Sequence, residues 1–254
     1  MSKKRTVVAL AAVAAAALTT LFLAGNGAAS AGADQNTATG MHFSTDELRQ
    51  LLGPDSAQRA TADTIQPAVS IKEAVADGQF AAAPNLTSEP KACLNMTDAL
   101  GDVSAYDGFI QSGERSQAAA PDSLQRYFMT AVFQIPGGAD KAIDQVAEVL
   151  RTCSAGTIRL DTGTGKTLAG SISYAEHPAP SLDGARTFAS TLTTTMPAPE
   201  SANRTNDDII VEPTCDAQLT LTANGDLLIW SVEPTEQLAT DSVTTVYDRA
   251  LSLS

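Results

Sequence analysis

The sequence feature that most constrains the fold is a pair of apolar segments joined by Asn224 and Gly225. Residues 218–222 and 226–232 both have the composition of β-strands. The Asn-Gly dipeptide suits the positive backbone φ angles of a tight type I′ hairpin. The second strand is apolar on both faces, with Leu227 and Ile229 on one face and Leu228, Trp230 and Val232 on the other. A helical layer on one face would therefore leave apolar surface on the other still to be covered.

The hydrophobic pattern predicts more strands on either side of this hairpin. Alternating residues place strands at 126–135, 156–161, 167–176 and 185–196, and extend the first hairpin strand back to residue 208, either unbroken or split at Pro213. The strand at 126–135 is apolar on both faces, as a central strand is. Residues 111–122 are polar, and we expect them to form an exposed loop. Residues 57–90 carry little pattern and several prolines, which predicts mostly irregular structure.

Helices are predicted before, between and after the strands. Ser44 followed by Glu47 fits a capping box that begins a first helix, which Gly53 and Pro54 end. Short helical segments are expected at 71–76 and 96–103. The strongest pattern, at 139–153, repeats apolar residues every three or four positions, and a closing helix follows within 236–254.

This order of elements predicts an α+β fold in one domain. We expect a mostly antiparallel sheet of about five to six strands with helices packed on it and a cleft between them. The domain spans residues 43–254, after a disordered lead-in at 34–42. No internal repeat interrupts it.

Residues 1–33 are predicted to be a secretory signal peptide. Lys3, Lys4 and Arg5 precede an apolar stretch at 7–23, and small residues allow cleavage after Ala31 or Ala33. The alternative is an uncleaved anchor, because the apolar stretch approaches the length that spans a bilayer. No cysteine lies near the end of this stretch, which argues against a lipid anchor. We therefore expect a protein outside the cytoplasm, secreted or in the cell envelope.

The charge of the chain argues against two classes of partner. Removal of the signal peptide takes away three of the 16 basic residues and none of the 29 acidic ones, so the formal charge changes from −13 to −16. A field of this sign repels phosphate backbones and anionic headgroups. We expect no binding to nucleic acid and no stable insertion in a membrane after cleavage.

The mature chain keeps three cysteines, Cys93, Cys153 and Cys215. In an oxidising compartment two of them are expected to form a disulfide. The third either stays buried as an inert thiol or pairs between molecules.

Motifs of known chemistry are incomplete in this sequence. Gly163 to Thr167 ends like a phosphate-binding loop but lacks its first glycine, and Ser88 with Lys91 has the Ser-x-x-Lys spacing without its companion motif. The two histidines, His42 and His177, are not placed for a catalytic triad or a zinc site. No catalytic residue, metal ligand or cofactor is predicted.

The surface of the second hairpin strand has two interpretations. A second helix or loop covers it, or it lines a groove in which Trp230, with neighbours such as Tyr127, contacts a ligand. Trp230 and Tyr127 are therefore our candidate ligand-binding residues.

The chain also resembles the PknH-like extracellular domain, a sensor module of certain actinobacterial kinases and of secreted proteins. Three blocks carry the likeness: Pro90 to Cys93, Val132 to Gly156, and Cys215 to Val232 with the closing helix. Leu150 stands where the family usually has a tryptophan, and residues 231–234 lack the family's fourth cysteine. The resemblance implies a Cys93–Cys153 disulfide, a Cys215 thiol without a disulfide partner, and a sheet-and-helix cleft without catalysis.

Together these observations predict a secreted, noncatalytic, sensor-like domain that binds a small or envelope-derived ligand and that signals, if at all, through a protein partner. Two alternatives stay open. One is a secreted hydrolase that acts on envelope material through carboxylates, and the other is a protein–protein interaction or inhibitor module.

Overall fold

The computed structural model describes residues 41–53, 62–80, 85–94, 96–115, 127–161, 167–196 and 214–254. The predicted signal peptide, most of the lead-in and the turn at 163–166 lie outside these residues. Four α-helices are described: α1 (Thr45–Leu51), α2 (Ile71–Ala76), α3 (Ala139–Thr152) and α4 (Glu236–Leu253). Three short 3₁₀ segments lie at Lys91–Cys93, Met96–Leu100 and Val103–Ala105.

In the described part of the chain, ten strands form a single antiparallel sheet. They are β1 (Ala62–Ile65), β2 (Val69–Ser70), β3 (Leu86–Glu89), β4 (Asp107–Arg115), β5 (Tyr127–Gln134), β6 (Gly156–Asp161), β7 (Thr167–His177), β8 (Arg186–Thr195), β9 (Thr214–Asn224) and β10 (Leu227–Glu233). The strand order is β1-β4-β5-β10-β9-β8-β7-β6-β3, and β2 also pairs with β4. The α+β class is confirmed, whereas the expected number of five to six strands is wrong.

The missing strands come from the two regions that were predicted to be irregular. The segment 107–115 pairs with β5 along eight positions, so the expected exposed loop from residue 111 begins inside a strand. Gln111 is only 5% exposed. Residues 62–89 supply β1, β2 and β3, which are short and lie at or near the two edges of the sheet.

The predicted hairpin is present with its turn one residue later. Leu227 pairs with Asn224, so Gly225 and Asp226 form the loop. Gly225 has a φ of 60°, a value that favours glycine. The Asp226 carboxylate accepts a hydrogen bond of 2.6 Å from the backbone N–H of Gly137, which fixes the hairpin against the connection from β5 to α3.

Both faces of the sheet carry helices. On one face, α3 buries Ile143, Val146 and Leu150 in a cluster that includes Trp230 and Phe133. On the opposite face, α1 and α4 form a second cluster; its members include Leu48, Phe109, Val132, Ile229, Val243 and Val246. The central strand β10 is buried along its whole length between these two layers.

Local signals start the helices as expected. The Ser44 hydroxyl accepts a hydrogen bond from the backbone N–H of Glu47, and the Glu47 carboxylate accepts one of 2.8 Å from the N–H of Ser44. Ser70 and Glu73 repeat the same capping box at α2. These caps satisfy N–H groups that have no partner inside the helix.

A disulfide joins Cys93 to Cys153, as the family resemblance implied. It ties the first 3₁₀ segment to the end of α3, and both cysteines have no exposed surface. The Tyr174 hydroxyl on β7 donates a hydrogen bond of 3.1 Å to the Cys93 carbonyl. The disulfide and this hydrogen bond together fasten α3, which covers Trp230, to the sheet.

We predict that removal of this bond lowers the free energy of unfolding. The two cysteines are 60 residues apart, and a crosslink over a loop of that length stabilises by about 4 kcal/mol through the entropy of the unfolded chain. Urea unfolding of Cys93→Ser/Cys153→Ser should show this loss. Cys215→Ala, which removes a cysteine but keeps the bond, is the control and should lose much less. Equal losses in the two variants would contradict the prediction.

Candidate functional site

Trp230 lies inside the protein in this structure. Its side chain is 1% exposed and belongs to the core cluster under α3. Trp230 is opposite Ala131 on β5 and Leu221 on β9, in the middle of the sheet. The surface that was considered for a groove is therefore filled by a helix, and a ligand reaches the indole only if α3 moves.

Tyr127 lies well away from Trp230. It begins β5 and is 47% exposed. The residue opposite Trp230 is Ala131, four positions further along the same strand, which corresponds to about 13 Å. The structure does not bring Tyr127 and Trp230 together, and their role in ligand binding stays a prediction.

The other residues that the sequence analysis considered, Cys215, Ser88 and His177, are not arranged as a reactive site. Cys215 is 2% exposed and is not part of the disulfide. The Ser88 hydroxyl donates to the backbone carbonyls of Pro90 and Lys91, so it is not activated by the Lys91 amine. His177 lies at the end of β7, with its Nδ1 3.8 Å from a Glu236 carboxylate oxygen.

The described residues contain neither a metal-binding cluster nor a membrane-spanning helix. No group of three or more metal-binding side chains converges within them. Within the same part of the chain, no helix is long and apolar enough to cross a membrane.

A buried ion pair connects β4, β10 and α4. Arg115 donates to the Glu233 carboxylate through Nε at 3.0 Å and through Nη2 at 2.5 Å. The Ser242 hydroxyl donates to the same carboxylate at 2.5 Å, and the guanidinium stacks 4.0 Å above the Phe128 ring. Arg115 and Glu233 are 2% and 0% exposed. This arrangement holds a charge inside the fold and gives a substrate no access to the carboxylate.

Burial dominates the ionisation of this carboxyl group. It raises the pKa of Glu233 above its ordinary value, whereas the hydrogen bond and charge of Arg115 act in the opposite direction. Loss of one member of a buried pair is strongly destabilising because the other charge stays behind.

We predict that Arg115→Met makes stability pH-dependent. Without the guanidinium, the folded-state pKa of Glu233 rises further above its unfolded value. The variant is then most stable below the pKa that Glu233 has in the unfolded chain. It loses stability as the pH rises through the pKa that Glu233 has in the folded protein. At neutral pH the loss should be about 3 kcal/mol, measured by urea unfolding.

The control is Arg115→Met/Glu233→Gln, in which no carboxylate is buried. Relative to this double variant, the single variant should become less stable from pH 4 to pH 7, which is roughly the range in which the carboxyl group ionises. If the difference in unfolding free energy between the two variants does not change with pH, the buried Glu233 carboxylate is not the cause of the instability.

An open cleft lies on the α1 face of the sheet, beside the edge strand β1. Its volume is about 540 Å³, within the range of small-molecule sites. We call it the edge cleft. Helix α1, the β1–β2 connection and β4 provide its lining, which consists of Arg49, Leu52, Gly53, Ile65, Gln66, Pro67, Ala68 and Gln111.

Gln111 is the unusual residue of the edge cleft. As a whole residue it is only 5% exposed, and among the described residues its carboxamide makes no hydrogen bond. Its carboxamide atoms are not among the fully buried side-chain atoms that lack a hydrogen-bond partner in the same part of the chain, so they reach solvent through the cleft. The group is therefore available to a ligand that enters the cleft.

Arg49 provides the positive charge of the edge cleft. It is exposed on α1, and its guanidinium lies 4.8 Å from the centre of the Phe109 ring. Within the described part of the chain it forms no ion pair or side-chain hydrogen bond. The Glu73 carboxylate is bound instead by Ser70, whose backbone and side-chain hydrogen bonds lower the pKa of Glu73, with a smaller contribution from the charge of Arg49.

The sequence analysis identified neither Arg49 nor Gln111 as a candidate site residue. The segment around Gln111 reads as polar and was assigned to a loop. The signal that could have found it is the pair Phe109 and Ile110, whose side chains point to opposite faces of a strand and are both buried. With Phe109 on the α1 face, period-two alternation places Gln111 on that face as well.

Comparison with known proteins identifies the fold. No protein-family model matches the chain, and no curated protein matches it. The extracellular domain of PknH from Mycobacterium tuberculosis has a similar structure, with a TM-score of 0.50 and 14% identity, over 83% of this chain and 97% of that domain. An uncharacterised protein from Mycobacterium smegmatis also matches, with a TM-score of 0.36 and 10% identity, over 80% and 96% of the two chains.

The sequence resemblance to the PknH-like extracellular domain is therefore confirmed at the level of the fold. At this identity the likeness extends to the arrangement of helices and strands and not to the residues of a site.

Proposed function

We propose that this protein is a secreted, noncatalytic, sensor-like domain that binds a small or envelope-derived amphipathic molecule in the edge cleft. The observation that carries the proposal is the Gln111 carboxamide, which lines the cleft and makes no hydrogen bond among the described residues. A polar group that is free to bind and faces a mostly apolar cleft is typical of a small-molecule site.

The composition of the lining supports an amphipathic ligand. Leu52, Ile65, Pro67 and Ala68 provide apolar surface, and the polar groups are few. Such a combination is typical of small-molecule sites, in which apolar walls supply affinity and a few polar groups fix orientation. Among the described lining residues there is no carboxylate, whereas the alternative of a carboxylate-dependent hydrolase requires an acidic pair.

The fold and the disulfide support a role outside the cytoplasm. The chain shares its fold with a domain that is extracellular in PknH. A buried disulfide is typical of proteins that fold in an oxidising compartment. A cleavable signal peptide without lipidation, as expected from the sequence, would deliver the protein there.

The proposal predicts that the cleft takes up a neutral apolar probe. Nile red should bind the mature protein with increased fluorescence, and Ile65→Glu should weaken this binding at least about tenfold because a carboxylate in the wall must be desolvated. Leu168→Glu is the matched control, since Leu168 is also a half-buried strand residue but lies on β7, away from the cleft. An equal loss in both variants, or no binding at all, would overturn the proposal.

A further inference from the structure

Two polar residues of the edge cleft, the buried Gln111 and the exposed Arg49, lie over the same face of β4. Gln111 and Phe109 lie two positions apart on β4 and therefore point to the same face, about 7 Å from each other. The Arg49 guanidinium sits above the Phe109 ring at 4.8 Å. The guanidinium and the Gln111 carboxamide are thus positioned over neighbouring sites of one strand face.

Both groups supply N–H donors. A guanidinium has five N–H bonds and a carboxamide has two, and neither side chain uses them within the described residues. An oxyanion with two or more oxygens can accept from both groups at once, because two hydrogen bonds of about 2.9 Å and the width of the anion match the spacing of about 7 Å between the two strand positions. A neutral hydroxyl is too small to do so.

Among the described residues Arg49 forms no ion pair, unlike several other arginines of this acidic chain. The protein has 29 acidic and 16 basic residues, and other arginines are held by carboxylates: Arg151 contacts Glu148 and Glu176, and Arg186 contacts Asp144. Arg49 instead lies on an aromatic ring at the mouth of a cleft, where the ring orients the guanidinium and leaves its N–H edge available.

We infer that the edge cleft binds a single-tailed amphiphile with an anionic headgroup, with the oxyanion bridging Arg49 and Gln111 and the tail against Leu52, Ile65 and Pro67. This inference rests on the proposed function and specifies the chemistry of its ligand. Arg49 attracts the headgroup and Gln111 fixes its depth.

Three probes with the same ten-carbon tail test the headgroup. Decanoate, decyl phosphate and 1-decanol are added to the full mature protein below their micelle concentrations, and binding is measured by calorimetry or by displacement of Nile red. Decanoate or decyl phosphate should bind at least about tenfold more tightly than 1-decanol, since a hydrogen bond to a charged group contributes more than a neutral one. The comparison of the two anions shows whether the headgroup is a carboxylate or a phosphate.

Variants identify the residues. Arg49→Gln should weaken binding of the preferred anion about tenfold and leave 1-decanol unchanged. Gln111→Glu places a carboxylate beside the headgroup and should abolish anion binding, while Gln111→Leu should weaken it without affecting 1-decanol. Arg159→Gln is the matched control, because Arg159 is an exposed strand residue outside the cleft and its loss changes the net charge equally.

The outcomes separate this inference from the proposed function. If the three probes bind equally and Arg49→Gln has no effect, the anionic ligand is ruled out while the binding cleft stands. If Arg159→Gln weakens anion binding as much as Arg49→Gln, net charge rather than the cleft attracts the probe, and the inference fails. If no probe binds and Nile red is not taken up, both fail.

Discussion

The structure depends on the burial of one strand from both sides. Every residue of β10 is inaccessible, with Leu228, Trp230 and Val232 in one core and Leu227 and Ile229 in the other. Apolar surface on both faces is stable only if two layers cover it. The chain provides α3 for one face and α4 with α1 for the other, and the Cys93–Cys153 bond fastens the end of α3 to the 3₁₀ segment that follows β3.

The elements around β10 were predictable because their patterns are local. The hairpin at Gly225, the double-faced strand β5 and the periodic helix α3 follow from spacing alone. The strands β1 to β4 were not predicted, because their burial depends on contacts with residues that are distant in the sequence. In β4, Gly108 and Gly113 leave no room for a side chain against β5 and Phe128, and Arg115 is polar but buried by its pairing with Glu233. A sequence pattern does not show a partner 118 residues away.

The candidate site lies on the opposite face of the sheet from the surface that the sequence indicated. The sequence identified unprotected apolar surface around Trp230 and left two interpretations, a covering element or a groove. In the structure α3 covers it, and the accessible cleft lies on the opposite face at the β1 edge, where the helical layer of α1 ends at Leu52. Two of its polar residues, Arg49 and Gln111, were missed because the burial of Gln111 follows from a strand that the pattern did not reveal. The cleft therefore forms where the α1 layer ends at the edge of the sheet, and no sequence motif marks it.

The measurement that tests this account most directly uses the single tryptophan of the chain. If α3 seals the first face, the fluorescence of Trp230 is that of an indole in apolar surroundings, acrylamide quenches it only weakly, and decanoate leaves it unchanged. Emission at the wavelength of an exposed indole, with quenching as efficient as that of free tryptophan, would show that the face is open and would contradict the two-layer account.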